Sequence, residues 1–293
     1  MNKTIMRVAT LLGEKGIDFS IQCIKSFIQM ARFPFELHIF TDGTIENIPI
    51  TTQSAYLVSI TNHSLAERND FIHQFIKSFP VLAKFRQENV LSYKIIDIPY
   101  FMQSPYLYID SDIFFMRPFS IDNTFTHPVC MHDTKNAYVV SPFEIKPMGK
   151  FSIKSCINTG ILYLPNGVDF AVLESMAKKL FWKEERMQHA WAEQTLFALL
   201  LSNKKEEQLY CFHKEQIAMP FKIKPDRVIA VHYISSYRRL FSKINSIQSS
   251  TIQKIELSVL SKRISIISFL VELVNRYINH YGRKILPRLF PLQ

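Results

Sequence analysis

Residues 105–119, Pro-Tyr-Leu-Tyr-Ile-Asp-Ser-Asp-Ile-Phe-Phe-Met-Arg-Pro-Phe, constrain the fold more than any other stretch. Tyr106, Leu107, Tyr108 and Ile109 form a short apolar, strand-prone run. Asp110 and Asp112 follow it, one residue apart, and a second apolar run ends at Pro118. An apolar run of this length bounded by Pro reads as a buried strand. Unpaired ionised carboxylates at its end are costly to bury. A hard divalent cation, Mn²⁺ or Mg²⁺, offsets that cost, because it takes carboxylate oxygens and completes its shell with water and phosphate. The crevice beyond the carboxyl ends of strands is also where open α/β sheets bind ligands. A plain polar turn between two strands would use the same Asp-Ser-Asp.

The surrounding order of elements fits a nucleotide-binding sheet. Residues 5–12 read as a first strand, followed by a turn over Gly13 to Gly16. Phe19, Cys23, Ile24, Phe27, Ile28 and Met30 repeat at helical spacing, with Asp18 as the expected cap and Pro34 as the break. Phe35 to Phe40 is a second strand closed by Thr41-Asp42-Gly43. Strand, helix and strand at this spacing make one parallel crossover. A weak strand over 51–60 and helix over 65–100, broken at Pro80 and Pro99, lead into the Asp-Ser-Asp segment.

These segments together resemble GT-A glycosyltransferases, above all family eight, the retaining galactosyl- and glucosyltransferases that use nucleotide sugars. The pattern of strand, Asp-x-Asp and second apolar run is theirs, and the resemblance covers about residues 1–240. It implies a Rossmann-like mixed α/β sheet flanked by helices. It also implies a metal held by Asp110 and Asp112, with His232, after the apolar strand Val228 to Val231, as third ligand. Around the donor it implies Asp42, Lys94 (where the family has Arg), Ser111, Asp133, and Asn158 and Thr159 of Cys-Ile-Asn-Thr-Gly. Arg238 carries the positive charge for the pyrophosphate. Glu193 and Gln194 of Trp-Ala-Glu-Gln-Thr-Leu match the family's Asp-Gln-x-x-Leu and are the expected catalytic pair. Each has an ordinary reading beside it: Asp42 as a turn residue, Lys94 as a solvated helix lysine, Asn158 and Gly160 as a turn before a strand, Glu193 as an acid at a helix N-terminus.

Composition limits the alternatives. With 47% hydrophobic residues among 293, a sizeable core is available. Only 7 glycines occur and no phosphate-loop or dinucleotide fingerprint is present. The cysteines, Cys23, Cys130, Cys156 and Cys211, form no pair at metal-binding spacing, and buried free thiols suit a reducing cytosol. No secretory signal and no spanning helix are expected. The net charge is +10, of which +8 lies from Arg238 onward, so the bulk of the chain is no nucleic-acid binder.

Residues 241–293 read as a basic amphipathic helical tail. Ile252, Ile255, Val259, Leu260, Ile264, Ile267, Val271, Val274, Ile278 and Tyr281 mark one helical face. Such a helix can lie on an anionic membrane or pack on the domain. The expected protein is therefore a cytoplasmic glycosyltransferase, peripheral on the cytoplasmic face of the membrane if that face is free. It would move a hexose from a nucleoside diphosphate sugar, UDP-linked by the resemblance, to a saccharide or lipid-linked acceptor in cell-surface glycan synthesis, with retention. A haloacid dehalogenase-type phosphatase using Asp110 as nucleophile, or a non-catalytic nucleotide-sugar-binding protein, are the competing readings.

Overall fold

The computed structural model describes residues 4–45, 48, 50–103, 105–121, 125–133, 136–140, 144, 152–203, 208–220, 223–234, 238, 241 and 251–260. In chain order the first elements are β1 (Met6–Leu12), α1 (Ile17–Met30), β2 (Phe35–Thr41), β3 (Leu57–His63), α2 (Leu65–Ile76) and α3 (Pro80–Glu88). A 3₁₀ turn (Val90–Lys94) and α4 (Asp97–Met102) lead to β4 (Tyr106–Ile109), β5 (Ile113–Phe115) and β6 (Phe119–Ser120). Then come β7 (Val129–His132), β8 (Ile157–Leu164), α5 (Phe170–Leu180), α6 (Ala192–Ser202) and β9 (Tyr210–Phe212). The last strands are β10 (Ile217–Ala218), β11 (Ala230–His232), β12 (Gln253–Lys254) and β13 (Leu257–Val259).

An eight-stranded sheet runs in the order β13-β9-β7-β8-β4-β1-β2-β3. β1 pairs in parallel with both β2 and β4, and β2 with β3. β8 is antiparallel to β4 and to β7, so the sheet is mixed. The chain leaves β1 toward β2 on one side and returns to β4 on the other. That reversal is a topological switch point, and the crevice there opens beyond the carboxyl ends of β1 and β4. Asp110 directly follows β4.

Side chains alternate across the sheet, as strand geometry requires. Tyr106 and Tyr108 join one apolar core with α3, α5 and α6, while Leu107 and Ile109 join the opposite one with α1. Phe27 of α1 anchors the second core, 5.0 Å from Phe35 and 5.2 Å from Phe115 between ring centroids. α6 is buried all round from Thr195 to Leu201, the pattern of a helix enclosed in the core.

Several local expectations are corrected. Asp18 does not cap α1: Gly16, at φ +78°, is the N-cap and no side chain caps it, while Asp18 lies in the first turn. Pro80 opens α3, where its missing N–H costs nothing, and Pro99 lies in the first turn of α4. Asn158 and Gly160 lie inside β8, not in a turn before it. The weak strand of 51–60 is β3, placed later at Leu57–His63.

The helical reading of the tail fails over 252–260. β12 pairs with β6, and β13 adds an antiparallel edge to β9 in the main sheet. Ile255 and Leu260 are buried, and Ile252 and Val259 are exposed. The apolar positions chosen at helical spacing also fit a bent extended segment, and pairing with an open strand edge decided the outcome. The rest of the tail, from residue 261, lies outside the described residues.

Candidate functional site

Two backbone hydrogen bonds and one strand pairing bring the sequence-distant residues together. The Asp110 N–H donates to the Gly160 carbonyl at 2.7 Å, which ties the end of β4 to β8. β11 runs antiparallel to β5 with His232 opposite Ile113. The Tyr233 N–H then donates to the Asp112 carbonyl at 2.9 Å. The imidazole of His232 is thereby delivered to Asp112, although 120 residues separate them along the chain.

Asp110, Asp112 and His232 each offer one ligand atom, all within 4.8 Å of one another. His232 Nε2 is 3.0 Å from Asp112 Oδ1 and 3.9 Å from Asp110 Oδ2. Asp112 Oδ1 is buried, and it receives no aligned hydrogen bond from the described residues. Two carboxylate oxygens and one imidazole nitrogen can hold a divalent cation and leave coordination positions for water and phosphate. The residues present therefore fit a divalent cation.

The electrostatics are those of a crowded cluster of a buried imidazole and two half-buried carboxylates. Burial would raise the Asp112 carboxyl, but His232 and Arg238 outweigh it and hold it below the ordinary range. Burial would lower His232, but Asp112 and then Asp110 outweigh it and favour the imidazolium. A proton on His232 and a divalent cation thus compete for one set of atoms. Arg238 reaches Asp112 Oδ2 at 3.2 Å and lies 5.8 Å from the Phe19 ring centroid, against the start of α1.

The remaining candidates divide into those the fold gathers and those it does not. Lys94, buried, donates to Asp110 Oδ1 at 3.0 Å and to Thr159 Oγ1 at 3.1 Å, and faces Glu193 Oε1 at 3.6 Å. Burial pushes Glu193 up to about 7, with the Lys94 ammonium holding it back. Asn158 donates to Asp133 Oδ2 at 3.1 Å and accepts from the Gly160 N–H at 2.7 Å. The Ser111 hydroxyl faces that of Ser20 in α1 at 3.4 Å. Gln194 turns its amide to the Ala137 carbonyl at 3.0 Å. Asp42 has the bonds of a turn residue: its carboxylate accepts from the Thr44 N–H at 3.0 Å and the Thr44 hydroxyl at 2.5 Å.

Sequence reasoning missed Tyr108 as a site residue. Its hydroxyl donates to Asp110 Oδ1 at 2.8 Å. The signal was available: two residues apart on a strand, Tyr108 and Asp110 share a face. The role of Gly160 also exceeds that of a turn glycine. A Cβ there would meet His232 Cε1 at 2.8 Å, Met131 Sδ at 2.9 Å and Asn158 Oδ1 at 3.0 Å.

The mixed sheet flanked by helices has the GT-A fold seen in solved glycosyltransferase structures. The fold matches mouse xyloside xylosyltransferase 1 in its apo form with a TM-score of 0.52 at 11% identity, over 78% of this chain and 97% of that one. The galactosyltransferase LgtC, in complex with donor and acceptor sugar analogues, aligns over 83% of this chain and 98% of its own, at 12% identity and a TM-score of 0.49. No family model and no curated protein sequence matches the chain.

Proposed function

We propose that this protein is a metal-dependent glycosyltransferase that moves a hexose from a nucleoside diphosphate sugar, UDP-linked by resemblance, to a saccharide or lipid-linked saccharide acceptor, with retention. The convergence of Asp110, Asp112 and His232 within 4.8 Å, at the end of β4 in a GT-A sheet, carries this reading. A cation held by these residues supplies Lewis-acid stabilisation of the diphosphate leaving group. The chain's own residues supply the rest. Arg238 offers a second positive charge to the developing negative charge. Asn158, Asp133 and Glu193 orient sugar hydroxyls, and Ser111 and Thr159 line the donor side. Gln194 is assigned to the face where the new bond forms, with one N–H of its amide held by the Ala137 carbonyl. Holding donor and acceptor in register accounts for much of the rate in such a mechanism.

For the tail we propose reversible attachment to the cytoplasmic face of an anionic membrane. Residues 261–293 carry Lys262, Arg263, Arg276, Arg283, Lys284 and Arg288 against Glu272 alone. Each basic group near such a surface contributes about 1 kcal/mol, screened by salt.

The test of the function is direct. The purified protein with Mn²⁺ and a panel of nucleotide sugars should release nucleoside diphosphate from one of them. Excess EDTA should stop release, and Asp112→Ala should reduce it by about a hundredfold or more. Undiminished turnover in EDTA would sink the metal mechanism.

A further inference from the structure

Lys94 is only 4% exposed, and an ammonium so deep persists only beside counter-charges. It has three protons to give and faces three oxygens: Asp110 Oδ1 at 3.0 Å, Thr159 Oγ1 at 3.1 Å and Glu193 Oε1 at 3.6 Å. Two of the protons are committed to Asp110 and Thr159, while Glu193 Oε1 is held at ion-pair distance with no hydrogen-bond partner among the described residues. The ammonium is also held in place. It stands 4.6 Å from the centroid of the Tyr108 ring, whose hydroxyl donates to the same Asp110 oxygen. Its neighbour Tyr93 has the guanidinium groups of Arg68 and Arg86 over its ring, at 4.9 and 5.1 Å from the centroid, and Asp97 binds both arginines.

Each carboxylate of the metal cluster therefore has one oxygen already engaged by a cation. Lys94 takes Asp110 Oδ1 and Arg238 takes Asp112 Oδ2. Asp110 Oδ2 and Asp112 Oδ1 remain to face His232. In the form that binds a cation, with the carboxylates ionised and His232 neutral, Asp110, Asp112 and Glu193 against Lys94 and Arg238 leave one net negative charge. A divalent cation alone overshoots that charge, and an added diphosphate restores the balance. Without Lys94 the cluster would carry two negative charges and match a divalent cation unaided.

We infer that Lys94 acts on the metal: it is a fixed counter-charge that keeps a divalent cation weakly bound until the diphosphate of a nucleotide sugar arrives. This rests on the proposed function, and it makes Lys94 a positioning residue that couples cation binding to donor binding. The coupling is reciprocal, so the factor by which UDP tightens Mn²⁺ equals the factor by which Mn²⁺ tightens UDP.

The experiment is titration of the full chain with Mn²⁺, followed by the electron paramagnetic resonance signal of free Mn²⁺, with and without UDP. The unaltered protein should bind Mn²⁺ weakly alone and much more tightly with UDP. Lys94→Met should bind Mn²⁺ alone roughly tenfold tighter or more, because a unit charge a few ångströms from the ligand oxygens is gone. Its enhancement by UDP should shrink by a similar factor. Lys94→Gln, which keeps a donor for Asp110 without the charge, should behave the same and guards against misfolding of the first variant. Lys94→Arg should retain the dependence on UDP. Mn²⁺ binding by Lys94→Gln no tighter than that of the unaltered protein would overturn the inference and leave the proposed function standing. Failure of the unaltered protein to bind Mn²⁺ even with UDP would overturn both.

Discussion

At the residue scale the site depends on close approach as much as on charge. Gly160 is there because His232 and Asn158 occupy the space its Cβ would need, at 2.8 and 3.0 Å. Both neighbours are buried, so neither yields easily. Gly160→Ala should therefore displace His232, destabilise the fold by about 1–3 kcal/mol and weaken Mn²⁺ binding. A melting curve and a Mn²⁺ titration of the same preparation check both effects, and unchanged Mn²⁺ affinity would contradict the geometry. Asn158→Ala separates sugar from diphosphate. Its amide bridges Asp133 and the Gly160 backbone, away from the oxygens assigned to the cation. Turnover should fall while UDP binding, measured by calorimetry, stays near that of the unaltered protein.

At the scale of elements, the segment 251–260 is the informative one. β13 covers the edge of β9, and Ile255 and Leu260 on either side of it are buried. Removing buried aliphatic side chains of this size costs about 2–5 kcal/mol each in a packed core. A chain ending at Leu260 should stay soluble and keep donor hydrolysis, whereas one ending at Ser250 should melt at lower temperature and aggregate through the bared edge. Comparison of the two truncations by melting and sedimentation tests this. The chain ending at Leu260 also tests the membrane proposal. Intact protein should float with anionic liposomes at low salt and not at high salt, and the truncated chain should not float. Equal flotation of the two would remove residues 261–293 from the explanation.

On the scale of the whole molecule, the outer parallel strands carry an acid-sensitive pair. His38 Nδ1 and His63 Nε2 are 3.0 Å apart across β2 and β3, with rings stacked at 5.3 Å. Burial lowers both imidazoles to about 4, with nearby Arg7 adding to the effect on His38 and the partner His38 adding to that on His63. A histidine that is harder to protonate when folded stabilises fully above its unfolded value of 6.5, and that stability is lost as pH falls toward about 4. Urea midpoints should therefore drop over that interval. His63→Phe, which keeps a ring against Phe40, should flatten the drop, and an identical pH profile for this variant would refute the assignment.

Much of this protein follows from local pattern. The strand before Asp110 is legible because Tyr106 to Ile109 are apolar without interruption, as strands buried on both faces are. α1 is legible because Cys23, Ile24, Phe27 and Ile28 recur at helical spacing. Motif order carried the resemblance, and so Asp110, Asp112, His232 and Glu193 were singled out from the chain alone, before the fold brought the first three within 4.8 Å of one another. Three matters were decided only in three dimensions. Lys94 reads as a helix lysine or a donor contact until the fold buries it between Asp110 and Glu193, because burial depends on residues 16 and 99 positions away. Asp42 fits a donor contact by position, yet its local bonds to Thr44 are those of a turn. Residues 252–260 fit a helix by spacing and become strands because an unpaired edge was waiting at β6 and β9. Periodicity reports which residues seek burial; only the assembled sheet determines what they are buried against.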